Sequence, residues 1–167
     1  SHYFKVFGLG QYGSDSWEER EMEKELRRLN AGQEEEDYLD LPELKLCFDI
    51  GRCPPWAVSR GRVLFTHPHM DHLGGVAYHA ATRALTGQTP PIYVVAPEVA
   101  PGLARLLDAW RELDRSELPC DIVAVAPGDV VALDRGWRAR PFRSVHRVAC
   151  QGYALERRRT SLRPEFE

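Results

Sequence analysis

The sequence predicts an α/β (α+β) fold in which sheets pack face to face and helices lie outside them. Read in order, its apolar segments fall as strands, helix, strand, helix, strands. The strand-like runs are β-branched and aromatic, and the helix-like runs between them repeat apolar residues at helical spacing. At 167 residues, 43% hydrophobic and 28% charged, the chain is long enough for one domain with its own core.

Tyr3 to Phe7 reads as a short first strand, followed by Gly8-Leu9-Gly10-Gln11-Tyr12-Gly13. That spells a Gly-x-Gly-x-x-Gly turn, but no βαβ unit with an acidic strand end follows, so a structural turn is preferred to a dinucleotide site. Ser14 or Asp15 can cap the next helix, with Glu18, Glu19 and Glu21 near its positive end. Trp17, Met22, Leu26 and Leu29 form its apolar stripe, and Asn30-Ala31-Gly32 ends it. Gln33 to Asp40 reads as an acidic surface loop. Residues 14–40 are thus an acidic helical and loop insertion, a solvated face by default and a negative guard or partner-docking face otherwise.

Leu44 to Ile50 is the next strand, and Arg62-Val63-Leu64-Phe65 is a buried strand that stops at Thr, His and Pro. Val76 to Leu85 is helical and closes at Gly87, with His79 on it read as a non-ligand. Pro91 to Ala96 is a buried strand, and Glu98 to Leu113 an amphipathic helix with Leu103, Leu106, Leu107 and Trp110 inward. Strands Asp121 to Ala126, Val130 to Leu133 and Trp137 to Arg143 follow, joined at Pro127-Gly128-Asp129 and Asp134-Arg135-Gly136. Gln151 to Leu155 is the last strand.

The chemistry concentrates in Thr66-His67-Pro68-His69-Met70-Asp71-His72-Leu73-Gly74-Gly75. Three imidazoles and one carboxylate stand at a strand's carboxyl end, and crowding such groups beside a buried strand is costly unless a metal uses them. In an extended loop residues two apart point the same way, so His67 and His69 can share one ion while Asp71 and His72 turn toward a second. His146 ends another strand far along the chain and is, taken alone, a weak third ligand.

The net charge of -3 argues against indiscriminate nucleic-acid binding, but the mean hides an asymmetry. Residues 15–40 hold 11 acids and 4 bases, whereas residues 135–163 hold nine arginines and one acid, Glu156. An ordinary solvated face and a phosphate-attracting face both fit the basic stretch. Cys47, Cys53, Cys120 and Cys150 lack the short paired spacings of a zinc finger or redox dithiol, so reduced thiols are expected, a Cys47–Cys53 disulfide being the alternative. No stretch has the apolar length of a membrane span, and the first residues lack a signal-peptide layout; a cytoplasmic protein is the expectation.

The His-x-His-x-Asp-His pattern, after an apolar strand and before a Gly-containing helix start, resembles the signature loop of the metallo-β-lactamase superfamily. Pro42-Glu43-Leu44-Lys45-Leu46-Cys47-Phe48-Asp49-Ile50-Gly51-Arg52-Cys53-Pro54, and His146 followed by Gln151-Gly152-Tyr153, narrow this further. From about Leu41 onward the chain resembles the short form of tRNase Z (ribonuclease Z). The resemblance implies an αββα sandwich of which residues 1–167 form the N-terminal half only, one domain incomplete at its C-terminal side. It implies removal of the 3′ trailer of precursor tRNA at two zinc ions, with manganese or iron as alternatives, by an enzyme that is a homodimer when complete. His67, His69 and His146 would hold the first ion, and Asp71 and His72 the second. Asp71 would orient or deprotonate the water, Asp49 would orient the metal loop, and Arg157, Arg158 and Arg159 would lead into the RNA-contacting region.

The family completes its site with a bridging Asp and a further His, yet after His146 this chain has neither an Asp nor a His. The chain therefore reads as a fragment, as part of a longer protein, or as one half of a site shared with a second chain. On this reading the inner face of its sheet would be bare. It would bind at most one metal well and show little or no nuclease activity alone. A metallo-β-lactamase-fold hydrolase of small phosphodiesters, sulfate esters or thioesters is the runner-up enzyme. A non-catalytic half that binds RNA or pairs with a catalytic subunit is the reading from another class.

Overall fold

The computed structural model describes residues 2–6 and 38–157. The expected Gly-rich turn, the capped acidic helix, most of the acidic loop, Arg158 and Arg159 lie outside them. Among the described residues nine strands form two sheets. β1 is His2–Val6, β2 Leu39–Leu41, β3 Leu46–Phe48, β4 Arg62–Leu64 and β5 Ile92–Val95. β6 is Asp121–Ala124, β7 Val131–Ala132, β8 Trp137–Arg143 and β9 Gln151–Arg157. The first sheet runs β2-β3-β4-β5-β6, parallel from β3 onward with β2 antiparallel at one edge. The second runs β1-β9-β8-β7, antiparallel throughout.

The parallel strands are apolar on both faces because both faces are covered. Leu46, Phe48, Leu64 and Val94 point toward the second sheet and pack with Trp137, Ala139, Tyr153 and Leu155. Cys47, Val63, Phe65, Tyr93 and Val95 point the other way, into a layer filled by Val76, Ala80, Leu103 and Leu107. The latter come from helices α2 (Val76–Leu85) and α3 (Ala100–Asp114), with a one-turn helix α1 (Met70–Leu73) before them. Helix, sheet and sheet are three layers of the expected αββα sandwich. The expectation of a bare inner sheet face is corrected: β8 and β9 cover it.

Three other expectations change. Pro42–Leu44 forms a 3-10 turn, as a Pro at its first position favours, so the strand expected from Leu44 begins only at Leu46. Asp40 is no loop residue: it sits in β2, is 8% exposed and accepts from both Nε and Nη2 of Arg60. On α3 only Leu103 and Leu107 are buried, while Leu106 and Trp110 are 42% and 47% exposed. That helix lies against the edge strand β6, itself mostly exposed, which leaves less sheet to cover it. All four cysteines are free thiols. Among the described residues no helix is long and apolar enough to cross a membrane.

Candidate metal centre

The histidine loop leaves the sheet where β4 ends, and its course differs from a uniformly extended one. His69 has extended backbone but caps α1, so Asp71 and His72 stand on a helical turn. Gly74 and Gly75 let this turn run directly into α2, since a Cβ at Gly75 would overlap the Ile50 carbonyl. The loop also meets the other sheet. The Gln151 N–H donates to the Thr66 carbonyl at 2.9 Å, and the Tyr153 hydroxyl to the Phe65 carbonyl at 2.9 Å. These bonds seat the start of β9, and with it the segment bearing His146, over the histidine loop.

His67, His69 and His146 each bring a ligand atom within 4.8 Å of the others. Ring centroids are 4.7 Å apart for His67 and His69, 4.6 Å for His67 and His146, and 4.8 Å for His69 and His146. His72 stacks 4.0 Å from His67 on the other side, with its Nε2 3.6 Å from the Asp71 carboxylate. Asp71 is exposed, whereas His67 and His72 are buried.

Asp49 organises this group from beneath. Its Oδ1 accepts the Thr66 N–H at 2.9 Å, and its Oδ2 accepts the Thr66 hydroxyl at 2.7 Å and His72 Nδ1 at 2.9 Å. Burial pushes the Asp49 carboxyl above its usual range, against the pull of the His72 and Thr66 hydrogen bonds. With the Thr66 hydroxyl donating to Asp49, its oxygen accepts from His67 Nδ1 at 2.9 Å. The network therefore assigns the proton of both His67 and His72 to Nδ1, which leaves the Nε2 lone pair of His67 to point at the cluster.

A buried lone pair needs a partner, and His67 Nε2 has none among the described residues. Burial, then the neighbouring His72, His146 and His69, lower the His67 pKa to about 4, so its nitrogen stays unprotonated near neutral pH. Three imidazoles converging on one point, one with an orphaned acceptor, fit a divalent metal such as zinc. They explain the orphan better than a packing role does.

Chain topology adds features that ligand spacing does not reveal. A Cβ on Gly51 would overlap the Asp71 carbonyl, and the Ile50 N–H donates to the His72 carbonyl at 2.8 Å, so the Asp49–Gly51 turn clamps the metal loop. Thr66, whose hydroxyl joins Asp49 to His67, was visible only as the residue before the first His. Arg147, next to His146, brings its Nη2 3.5 Å from His69 Nε2.

No family model matches the sequence. Among curated proteins, the nuclear ribonuclease Z of Triticum aestivum is 35% identical over 125 residues, which cover 75% of this chain and 71% of that protein. The chain belongs to the tRNase Z (ribonuclease Z) family. The Arabidopsis thaliana tRNase Z TRZ1 is 32% identical over 131 residues, 78% of this chain but 47% of its own length, so the chain spans about half of that relative. The solved structure of human tRNase Z, short form, superposes with a TM-score of 0.52 over 67% of this chain and 54% of its own, at 20% identity. That likeness shows the metallo-β-lactamase fold.

Within this fold the predicted site residues divide. His67, His69, His72, Asp71, His146 and Asp49 form one cluster. His79 is no part of it, as expected: its Nδ1 meets the Tyr93 hydroxyl at 2.9 Å and its Nε2 the Ala57 carbonyl at 3.0 Å, inside the helix layer. Arg157 is not brought to the histidines. It pairs in register with Trp137 and sits over that ring, at the end of β8 and β9 remote from His146. Six residues of strand set it about 20 Å away.

Proposed function

We propose that this chain supplies the histidine-loop side of a zinc-dependent endoribonuclease that removes the 3′ trailer of precursor tRNA. The observation that carries the reading is the orphaned, buried Nε2 of His67 facing His69 and His146 in a chain of the tRNase Z family. His67, His69 and His146 hold the first ion, and His72 Nε2 with the Asp71 carboxylate offers two ligands to a second. Bound there, zinc supplies Lewis acidity that polarises a phosphoryl oxygen and acidifies water.

The chain's own residues do the rest. Asp49, through Thr66 and His72, keeps the imidazoles in the tautomer that presents Nε2, and the low pKa of His67 keeps that lone pair available. Asp71, exposed beside His72, can accept a proton from attacking water.

The test is cleavage of a precursor tRNA against a generic bis-phosphodiester by the full-length protein, with zinc stoichiometry measured in parallel. Trailer removal that is lost with His67→Ala supports the proposal. Zinc binding with turnover of the small diester alone would favour a small-molecule hydrolase. RNA binding that survives His67→Ala without any turnover would favour a non-catalytic subunit.

A further inference from the structure

The carboxyl ends of β5, β6 and β8 enclose a cleft of about 190 Å³ whose lining includes His146. It adjoins the histidine cluster but is built differently. Two of its sides are apolar, Ala96 and Pro97 after β5, and Ala126 and Pro127 after β6. Its mouth carries Glu98 and Arg143, which approach only to 3.9 Å and stay 59% and 84% exposed. An ion pair that loose and exposed does not occupy either group.

Gln151 holds the two apolar sides apart at a fixed spacing. With its amide oriented to satisfy both ends, the nitrogen donates to the Val125 carbonyl at 3.1 Å. The oxygen then accepts from the Ala96 N–H at 3.3 Å. The side chain is 2% exposed, so the cleft rests on a satisfied, buried polar clamp. On the other flank of His146 stands Arg147. Its guanidinium lies against the imidazole of His69, and among the described residues no carboxylate pairs with it. Two arginines four residues apart thus bracket a histidine of the metal cluster, both free to take an anion.

We propose that this cleft is a nucleotide subsite. It takes the unpaired nucleotide next to the cleaved phosphodiester, with the base between the Pro97 and Pro127 sides. Arg143 and Arg147 hold the phosphates on either side of it. This inference rests on the reading of the protein as an RNA endonuclease. Smaller than the roughly 300 Å³ at the low end of drug-sized pockets, the cleft suits one base and excludes a base pair. An unpaired base has both faces free for apolar walls, and guanidinium forks match phosphate oxygens. Glu98 can accept from an exocyclic amino or ring N–H at the mouth.

The experiment measures binding of a fluorescein-labelled single-stranded tetraribonucleotide to zinc-free protein by anisotropy, so that no cleavage intervenes. Arg143→Ala and Arg147→Ala are each expected to weaken it by about tenfold, the scale of one charge-assisted contact. Ala126→Trp, which fills the cleft, should abolish binding, with zinc stoichiometry unchanged in all three variants. Amide shifts on RNA addition should centre on Ala96, Ala126 and Val148. Affinity unaltered by the three variants, absent binding, or equal competition by duplex RNA overturns the subsite. If the oligonucleotide binds here but the full-length protein leaves precursor tRNA intact, the endonuclease reading falls and the cleft stands. If trailer removal proceeds with the same kcat/KM in Arg143→Ala and Arg147→Ala, the reverse holds.

Discussion

Asp49 and Thr66 are joined twice, once through the Thr66 N–H to Oδ1 at 2.9 Å and once through its hydroxyl to Oδ2 at 2.7 Å. Asp49 holds this position with φ at +54°, a left-handed backbone that costs a non-glycine residue strain. The carboxylate is thus kept against the backbone's own preference, because it fixes His67 through Thr66 and His72 directly. Asp49→Gly separates the two effects, since glycine accepts the φ but removes the carboxylate. It is expected to lower zinc affinity about 10- to 100-fold in a chelator competition while the fold persists. Unchanged affinity would show that the imidazoles orient themselves.

Gly51 sits where the Asp49 turn meets the backbone of Asp71, with no room for a methyl group. Gly51→Ala must push the metal loop away from the turn. A loss of stability of about 1–3 kcal/mol is expected in urea denaturation, the usual cost of overpacking. A parallel fall in zinc affinity should accompany it. Gly87→Ala is the control: its φ is +68° but nothing stands within 4 Å, so it should lower stability by about 1 kcal/mol and leave zinc affinity alone.

Much of this site was legible before the fold was known, for reasons tied to particular residues. Four ligand-type side chains between His67 and His72 have no economical explanation except metal, and the strand before them fixed where they sit. The helix–strand alternation from Val76 to Val95 was readable because a helix period and a fully apolar run differ clearly. Less readable was everything set by contact between distant segments. That β8 and β9 cover the parallel sheet follows from side chains such as Tyr153, whose inward direction depends on register rather than on local pattern. The tie between Asp40 and Arg60, 20 residues apart, turned an expected loop residue into a buried strand residue. Arg147 announced nothing in sequence, since one arginine among nine acquires meaning only from the ring beside it.

His67 and His79 are both buried, but one lacks a partner on Nε2 and the other is satisfied on both nitrogens. Their alanine variants should therefore part company. His79→Ala removes two buried hydrogen bonds and opens a hole between α2 and β5, for an expected loss of about 3 kcal/mol without loss of bound zinc. His67→Ala, measured on metal-free protein, should cost less, because an orphaned polar atom goes with the side chain. Zinc stoichiometry should then fall by one equivalent. Equal destabilisation with retained zinc would place His67 in the core rather than in the metal centre.

The same two histidines set the pH dependence of the metal-free chain. Each is held down to about 4 from 6.5, with burial as the largest cause. As pH falls through that window the unfolded chain takes up protons that the folded chain refuses, so their stabilisation is complete above 6.5 and lost toward 4. Asp49 acts with the opposite sign. Its raised pKa lets the folded chain take a proton sooner than the unfolded one, which favours folding as pH falls. Two groups against one leave a net decline, read as a urea midpoint that drops between pH 7 and pH about 4.5. His79→Gln should make that decline shallower by removing one of the two contributions. A pH profile of the midpoint that His67→Gln and His79→Gln both leave unchanged would mean that both imidazoles protonate in the folded chain, and with it that the His67 lone pair is not held ready for a metal.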